Sequence, residues 1–270
     1  MPRVLQTSTR PRRYGRAPYR TVLVHGGPGA HGSLAPVARE LARTIGVVEP
    51  WQTVTSVSGE VDELADQILR WAEPPVTLVG HSWGAWLSLL LAAERPELVR
   101  QLVLVACGPL TPRLASQVAR LRRARLSPAQ RSELEACERK LRDAMQPPSA
   151  ELFRRLGSLA ELADSFELLP HPRARNPGDP VVFQRVWAEA ALLRRTGRLV
   201  RAVRRVRAPI VVIHGDSDPH PIRGVVEPLR REGREPSVVV LSRCGHEPWW
   251  ERYARDRFFD ELRSAVTWDR

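Results

Sequence analysis

Several residue types and segments are scarce or missing in this 270-residue chain, and each absence argues against a class of protein. It has only three cysteines, Cys107, Cys137 and Cys244, with no C-x-x-C spacing, so neither a disulfide framework nor a zinc cluster is indicated. No run of about 18 apolar residues occurs, so we expect no membrane-spanning helix. The N-terminus lacks the apolar core of a secretory signal. We therefore expect a cytoplasmic protein without a metal or cofactor.

Lysine is almost absent, because 41 of the 42 basic residues are arginines. The formal net charge is +12, and the positive charge is concentrated in residues 1–20 and 108–207. These segments contain few aromatic side chains that could stack on bases and no known nucleic-acid-binding motif, so we do not expect nucleic acid as a partner. A small acyl substrate that is anionic, or that is attached to an acidic carrier, fits the charge better. The oligomeric state is not readable from the sequence.

Strand-like and helix-like segments alternate at both ends of the chain, which predicts a parallel sheet wound in right-handed crossovers. Strands are predicted over residues 21–24, 46–50, 75–79, 102–106, 210–214 and 237–241. Helices are predicted over residues 33–44, with Ser33 as N-cap, 61–71, 85–93 and 249–265. The stretch between residues 109 and 207 has no strand pattern and predicts helices near 113–126, 128–145, 150–166 and 181–205, with a proline-rich connector at 170–180.

These patterns divide the chain into a core and an insertion. We expect a basic N-terminal arm at 1–20, an α/β core formed by 21–108 together with 208–270, and an all-helical cap at 109–207. In an open α/β sheet the functional site lies at the carboxyl ends of the strands. The cap is therefore predicted to cover that site.

The pentapeptide Gly80-His81-Ser82-Trp83-Gly84 lies between a predicted strand and a predicted helix. A G-x-S-x-G sequence in this context places the serine on a sharp, strained turn and exposes its hydroxyl, while the glycines let neighbouring backbone pass closely. Ser82 is therefore the predicted nucleophile.

A serine hydroxyl needs a base to remove its proton and an acid to orient that base. Both residue types follow late strands, at Asp216, Asp218 and His246. The order serine, aspartate, histidine is the one expected of a sheet with this topology. The predicted triad is Ser82, Asp218 and His246, with Asp216 as the competing acid.

With His25-Gly26-Gly27-Pro28-Gly29 after the first long strand, these motifs make the chain resemble α/β-hydrolase-fold enzymes with a helical cap, in particular the proline-iminopeptidase-like group. The resemblance covers the chain from Thr21 to the C-terminus. It implies an α/β-hydrolase fold, with a mostly parallel central sheet flanked by helices and an inserted cap.

The resemblance also assigns roles to individual residues. The family's G-x-x-D turn places the acid at Asp218, and its terminal histidine loop places the base at His246. The backbone N–H groups of Gly27 and Trp83 are expected to form the oxyanion hole, which stabilises the charge that develops in acyl transfer.

Two features favour an ester, thioester or lactone substrate over a peptide N-terminus. Proline iminopeptidases carry a D-x-R-G-x-G-x-S stretch where this chain has residues 49–56, and they use cap carboxylates to bind a substrate ammonium. Here the cap carboxylates lie among many arginines; they are Glu161, Asp164, Glu167 and Glu189. Aminopeptidase activity and a non-hydrolytic role, as a lyase or a ligand-binding protein, remain the alternatives.

Several aromatic and histidine side chains are candidates for the substrate pocket. Trp187 in the cap is the best of them, and Trp249 is a further one. His220 either contacts substrate or makes a structural hydrogen bond. His25 and His81 are expected to support the turns near the nucleophile.

Overall fold

The computed structural model of the protein describes residues 11–143, 147–172 and 178–267 and has a seven-stranded sheet at its centre. The strands are β1 (Arg12–Tyr14), β2 (Tyr19–Val24), β3 (Gly46–Glu49), β4 (Val76–His81), β5 (Val99–Val105), β6 (Ile210–Gly215) and β7 (Ser237–Leu241). The α-helices are α1 (Ala35–Leu41), α2 (Val57–Trp71), α3 (Trp83–Glu94), α4 (Pro112–Arg125), α5 (Pro128–Arg142), α6 (Ala150–Asp164), α7 (Pro180–Arg195), α8 (Arg198–Val203), α9 (Arg223–Arg231) and α10 (Arg255–Val266).

The strands lie in the order β1-β3-β2-β4-β5-β6-β7, and only β1 is antiparallel to its neighbour. The mostly parallel sheet flanked by helices that the sequence predicts is therefore confirmed. Because β2, β4, β5, β6 and β7 run in the same direction, the loops that follow them meet at one edge of the sheet.

Two apolar clusters cover the two faces of the sheet. One surrounds α3, which is buried along its whole length from Trp83 to Ala93 because α2 and α8 pack against it. The other lies beneath α1 and α10 and includes Trp249 and Phe258. α3 starts at the residue after Ser82, so the nucleophile turn is anchored by the most apolar helix of the protein.

Some element boundaries differ from the sequence predictions. Ser33 is not an N-cap: α1 starts at Ala35 after a tight turn, and the Ser33 hydroxyl is buried without a hydrogen-bond partner among the described residues. α2 starts earlier than predicted because Ser56 accepts a hydrogen bond from the Gly59 N–H at 3.2 Å. The helix predicted over 181–205 is interrupted at Gly197, whose φ of 70° is left-handed.

The predicted basic arm contributes to the sheet, since β1 lies within residues 1–20 and β2 starts there; residues 1–10 are outside the described part of the chain. Residues 173–177 of the predicted connector and residues 144–146 are also outside it. Of the helices that the structure describes, none combines the length and apolarity required to cross a bilayer.

The five helices α4 to α8 lie between β5 and β6, and their segment contacts the loop after β7 at the sheet edge. At the end of α6, the Asp164 carbonyl accepts a hydrogen bond from the His246 N–H at 3.0 Å. Further along, the Glu167 carbonyl accepts one from the Arg252 N–H at 2.8 Å. Pairing with this segment keeps residues 246–252 out of a helix, so the C-terminal helix starts at Arg255 rather than at 249.

Candidate active site

Ser82 lies on the sharp turn between β4 and α3, with φ at 52°, a left-handed conformation that L-residues rarely adopt. Its N–H donates to the Val105 carbonyl at 3.0 Å, which fixes the turn against the neighbouring strand. Only glycine fits at the positions two residues before and two residues after Ser82. A Cβ on Gly80 would lie 2.3 Å from the Gly84 carbonyl oxygen, and one on Gly84 would lie 2.1 Å from that of Val24. The predicted elbow geometry is present, and Ser82 is partly exposed on it.

The turn after β2 passes directly beside the elbow. A Cβ on Gly26 would lie 3.1 Å from Ser82 Cβ and 2.7 Å from His81 Nδ1, so any larger residue would displace the nucleophile turn. Gly27 follows with φ at 45°, and its carbonyl accepts a hydrogen bond from the Ala30 N–H at 2.8 Å. Trp83 is the first residue of α3, so its N–H has no partner within the helix. The structure thus brings the two predicted oxyanion donors onto turns that adjoin at Ser82.

Asp218 and His246 are in direct contact. Asp218 lies on the turn after β6, and its Oδ2 is 2.8 Å from His246 Nδ1 on the loop after β7. A carboxylate only accepts hydrogen bonds, so Nδ1 carries the proton, and His246 Nε2 is left with its lone pair. The competitor Asp216 is exposed; its Oδ1 accepts hydrogen bonds from the Ser217 hydroxyl at 2.9 Å and the Cys244 N–H at 3.3 Å.

Two further histidines surround the Asp218 carboxylate. His220 donates to Asp218 Oδ1 from its backbone N–H at 2.9 Å and from Nδ1 at 2.7 Å. Its ring stacks on His246, with ring centroids 4.3 Å apart. His214 Nε2 donates to the His220 carbonyl at 2.6 Å and lies 3.6 Å from Asp218 Oδ2. His220 therefore makes the structural hydrogen bond that was one of its two predicted roles, and its Nε2 remains available.

Burial and charge act against each other on the pKa values of this group. Burial of the Asp218 carboxyl opposes its ionisation, but the charges of His246, His220 and His214 and the hydrogen bond from His220 outweigh it and hold the pKa well below the ordinary value. Burial of His246 opposes its protonation, yet the charge of Asp218 and its hydrogen bond outweigh burial and raise the His246 pKa. Burial, together with the charge of His246, lowers the pKa of His81 to about 3, so that ring is neutral, and its Nε2 donates to the His246 carbonyl at 3.0 Å.

The profile of the alpha/beta hydrolase family matches residues 21–261. The chain belongs to this family. It is therefore placed among the hydrolases. No curated protein gave a significant sequence match.

Solved structures similar to this hydrolase share its fold at low sequence identity. VinJ is 21% identical with a TM-score of 0.65, and the alignment covers 95% of each chain. The thioesterase domain from the curacin biosynthetic pathway is 20% identical with a TM-score of 0.59, covering 94% of this chain and 93% of that one. 2-Hydroxy-6-oxo-6-phenylhexa-2,4-dienoate hydrolase from Rhodococcus sp. strain RHA1 is 21% identical with a TM-score of 0.57, covering 94% and 97%.

Behind Trp83 the hydrolase carries a buried carboxyl group that sequence reasoning missed. The Trp83 indole N–H lies 3.0 Å from Glu60 Oε2 and 3.1 Å from Gln52 Oε1, and it can donate to both. Burial, offset in part by the Trp83 hydrogen bond, raises the pKa of Glu60 to about 8, so it is mostly protonated at neutral pH. Glu60 lies just before the helix predicted over 61–71, where the sequence carries no signal of burial, and only the packing of α2 against α3 buries it.

The helical segment α4 to α8, the predicted cap, contributes an ion pair next to the histidines. Arg122 of α4 donates through Nε and Nη2 to the two carboxylate oxygens of Asp164, the last residue of α6. Arg125 donates to the carbonyls of Ala163 at 3.0 Å and Ser217 at 2.6 Å, so it joins the cap to the turn that carries Asp218. Asp164 was predicted only as one of several cap carboxylates, and its place beside the histidine loop arises from the tertiary structure.

The predicted pocket tryptophans lie in different environments. Trp187, 38% exposed, stacks on Trp86 with ring centroids 5.9 Å apart and on Phe183 at 6.0 Å, where the cap meets α3. Trp249 is 1% exposed and packs edge-on against His81 at 4.7 Å. Its contact with the site of the hydrolase therefore runs through the His81 ring, which in turn lies 4.9 Å from His246.

Proposed function

We propose that the protein is a serine hydrolase that cleaves a carboxylic ester, thioester or lactone through Ser82, His246 and Asp218. The observation that carries the proposal is the 2.8 Å hydrogen bond between His246 Nδ1 and Asp218 Oδ2, at the sheet edge where Ser82 occupies a left-handed turn. An oriented, carboxylate-paired imidazole and a partly exposed serine at the same sheet edge are what nucleophilic acyl transfer requires.

In the proposed reaction His246 Nε2 takes the proton of the Ser82 hydroxyl as Oγ attacks the substrate carbonyl carbon. The oxyanion is stabilised by the N–H groups of Gly27 and Trp83. The intermediate collapses to an acyl-serine, and His246 gives its proton to the leaving alcohol or thiol. A water molecule, deprotonated by His246, then attacks the acyl-serine and releases the acid and the free Ser82 hydroxyl. Asp218 holds the Nδ1 proton and stabilises the imidazolium throughout.

The state of the cap carboxylates supports an ester-type substrate over a peptide amine. Each of the four predicted candidates already has a partner in the described structure. Glu161 pairs with His171 at 2.8 Å, Asp164 with Arg122, Glu167 with Arg252 at 2.6 Å, and Glu189 accepts from the Val57 N–H at 2.8 Å. A substrate ammonium would have to share one of these carboxylates with the partner it already has, whereas an ester needs none of them.

The aromatic residues at the junction of the cap and α3 support an apolar acyl or leaving group. Phe183, Trp187 and Trp86 stack in a row, and the Arg194 guanidinium lies 5.2 Å from the Trp86 ring centroid. We propose that the exposed part of Trp187 contacts the apolar part of the substrate. An arginine next to this row is compatible with an anionic or carrier-linked acyl group.

The proposal is tested by labelling with a fluorophosphonate probe, which forms a covalent bond with an activated serine. We expect the unmodified protein to be labelled and Ser82→Ala not to be. Ser88→Ala is the matched control, because Ser88 lies in α3, the helix that starts directly after Ser82, but is fully buried, and its labelling should equal that of the unmodified protein. Absent labelling would contradict a serine hydrolase and favour the ligand-binding or lyase alternative, and labelling that survives in Ser82→Ala would contradict Ser82 as the nucleophile.

The substrate class is tested by comparing turnover of p-nitrophenyl esters of graded acyl length, an acyl thioester and prolyl-naphthylamide. We expect kcat/KM to be highest for an ester or thioester. A preference for prolyl-naphthylamide would reverse the assignment to that of an aminopeptidase.

A further inference from the structure

Two histidines share one carboxylate in this protein, and this is more than a catalytic triad requires. His246 Nδ1 contacts one oxygen of Asp218 at 2.8 Å and His220 Nδ1 contacts the other at 2.7 Å. The two rings stack with an interplanar angle of 28°. Because both Nδ1 atoms donate to the carboxylate, both Nε2 atoms keep their lone pairs. Asp218 thus fixes two neighbouring imidazoles in the tautomer that binds metals through Nε2.

A second carboxylate, from the cap, completes the group. One ligand atom from each of Asp164, His220 and His246 lies within 4.8 Å of the other two. The three side chains are 5%, 11% and 10% exposed, so they are shielded from bulk water but reachable. Two imidazoles and a carboxylate are a common set of protein ligands for a zinc ion that retains an open coordination position.

We propose that Asp164, His220 and His246 form a reversible binding site for Zn²⁺. Asp218 acts in the site as the carboxylate that orients both histidines, an arrangement typical of the residues behind zinc ligands. Zn²⁺ is the cation that this ligand set fits, whereas Mg²⁺ and Ca²⁺ prefer oxygen ligands only.

Two features make the binding reversible rather than structural. Two ligand atoms at about 2.0 Å from a tetrahedral zinc ion lie about 3.3 Å apart. The ligand atoms here lie within 4.8 Å of one another, so any pair wider than about 3.3 Å has to close when the ion binds. Arg122 also contacts both oxygens of Asp164, and its positive charge opposes a cation. Each carboxylate oxygen has a second lone pair, so Asp164 can bind the ion while it keeps Arg122.

Occupation of this site removes the proposed general base. A zinc ion on His246 Nε2 takes the lone pair that would accept the Ser82 proton, so Zn²⁺ is expected to inhibit the hydrolase. This consequence rests on the proposed function, whereas the binding itself depends only on the three side chains and Asp218.

Binding is tested by calorimetric titration of Ser82→Ala with zinc chloride, which needs no enzymatic activity. We expect one equivalent to bind, and MgCl₂ and CaCl₂ to give no signal. His220→Ala and Asp164→Asn, each introduced into Ser82→Ala, should weaken the affinity by about tenfold or more. The matched control is His171→Ala, which removes another carboxylate-paired histidine of the cap and should leave the affinity unchanged. Circular dichroism verifies that each variant is folded. If Asp164→Asn is not folded, the affinity of His220→Ala decides the test.

The proposal is overturned if Ser82→Ala binds no zinc, or if folded His220→Ala binds it as tightly as its parent. A separate measurement on the unmodified protein examines the consequence: Zn²⁺ should protect Ser82 from the fluorophosphonate probe, and a chelator should restore labelling. If labelling is absent with and without zinc while calorimetry still detects one equivalent, the proposed hydrolase function fails and the zinc site stands.

Discussion

Glu251 Oε1 accepts a hydrogen bond at 2.8 Å from the backbone N–H of Gly245, the residue directly before His246. The same fully buried carboxylate also accepts from the N–H groups of Phe166 at 2.9 Å and Glu167 at 2.8 Å in the cap. One side chain therefore holds the histidine loop and the segment after α6 together. No hydrogen bond links Glu251 to the proposed triad itself, so its influence on His246 passes through the backbone.

We expect Glu251→Gln to lower the free energy of unfolding by about 1–3 kcal/mol, because the amide group places a donor against buried N–H donors. kcat/KM for an ester should fall with it, as His246 loses its fixed position. Glu167→Gln is the control, because it makes the same substitution in a half-exposed pair with Arg252, where a loss of at most about 1 kcal/mol is expected. Urea unfolding and ester hydrolysis measure both effects; equal losses in the two variants would contradict the role of Glu251.

The two neighbouring aspartates should differ sharply in their effect on turnover. Asp218→Asn is expected to reduce kcat by about 10⁴-fold, as in serine proteases whose triad aspartate is replaced, because the histidine takes the wrong tautomer. Asp216→Asn should leave kcat close to that of the unmodified enzyme, since Asp216 is exposed and its hydrogen bonds lie within the two loops. If the larger loss followed replacement of Asp216, the acid would be reassigned.

The pH dependence of kcat/KM should report the ionisation of His246. The ring accepts a proton only when it is neutral. Burial acts to lower the His246 pKa, but the charge of Asp218 outweighs burial and raises it. Activity should therefore fall as the pH is lowered, with a midpoint above the ordinary histidine value of about 6.5. A pH–rate profile with p-nitrophenyl acetate measures this limb. A midpoint at or below that value would show that another group controls it.

Gly26→Ala should reduce both stability and turnover. The added Cβ would lie 2.7 Å from His81 Nδ1 and 3.1 Å from Ser82 Cβ, so the nucleophile turn has to shift. Overpacking of this kind costs about 1–3 kcal/mol. Gly157→Ala is the control, because nothing lies within 4 Å of its Cβ position in α6, and there alanine should stabilise by about 0.5–1 kcal/mol. Thermal unfolding and ester turnover distinguish the two; an unaffected Gly26→Ala would mean that the turn is not tightly packed.

Glu60 should make the protein less stable as the pH rises. Burial raises its folded-state pKa from 4.5 to about 8, so across this interval the unfolded chain binds fewer protons than the folded one. Stability from this group is present below about pH 4.5 and is lost towards pH 8. Glu60→Gln keeps an acceptor for Trp83 without the ionisation, so its melting temperature should decline less between pH 5 and 8. Parallel curves for the two proteins would contradict a raised pKa.

Much of the fold and of the proposed triad could be read from the sequence because the signals are local. The strand, elbow and helix around Ser82 are contiguous, and the glycines at 80 and 84 are needed at fixed positions for close backbone approach. Asp218 and His246 were found because each directly follows a strand, and parallel strands bring such positions to one edge. The predicted helix boundaries were less accurate where contacts with other segments set the start of the helix, as at Ser33 and at the start of α10.

By itself the sequence determined the alternation of strands and helices, the elbow at Ser82 and the two turns that carry its proposed partners, since periodicity and turn chemistry act over a few residues. Only the tertiary structure decided that Asp218 rather than Asp216 contacts His246, and that His220 shares its carboxylate. It also decided that Glu60 is buried and that Asp164 of the cap stands beside the histidines. The physical reason is that burial and charge pairing depend on which segments pack together, and segments distant along the chain leave no local pattern in the sequence.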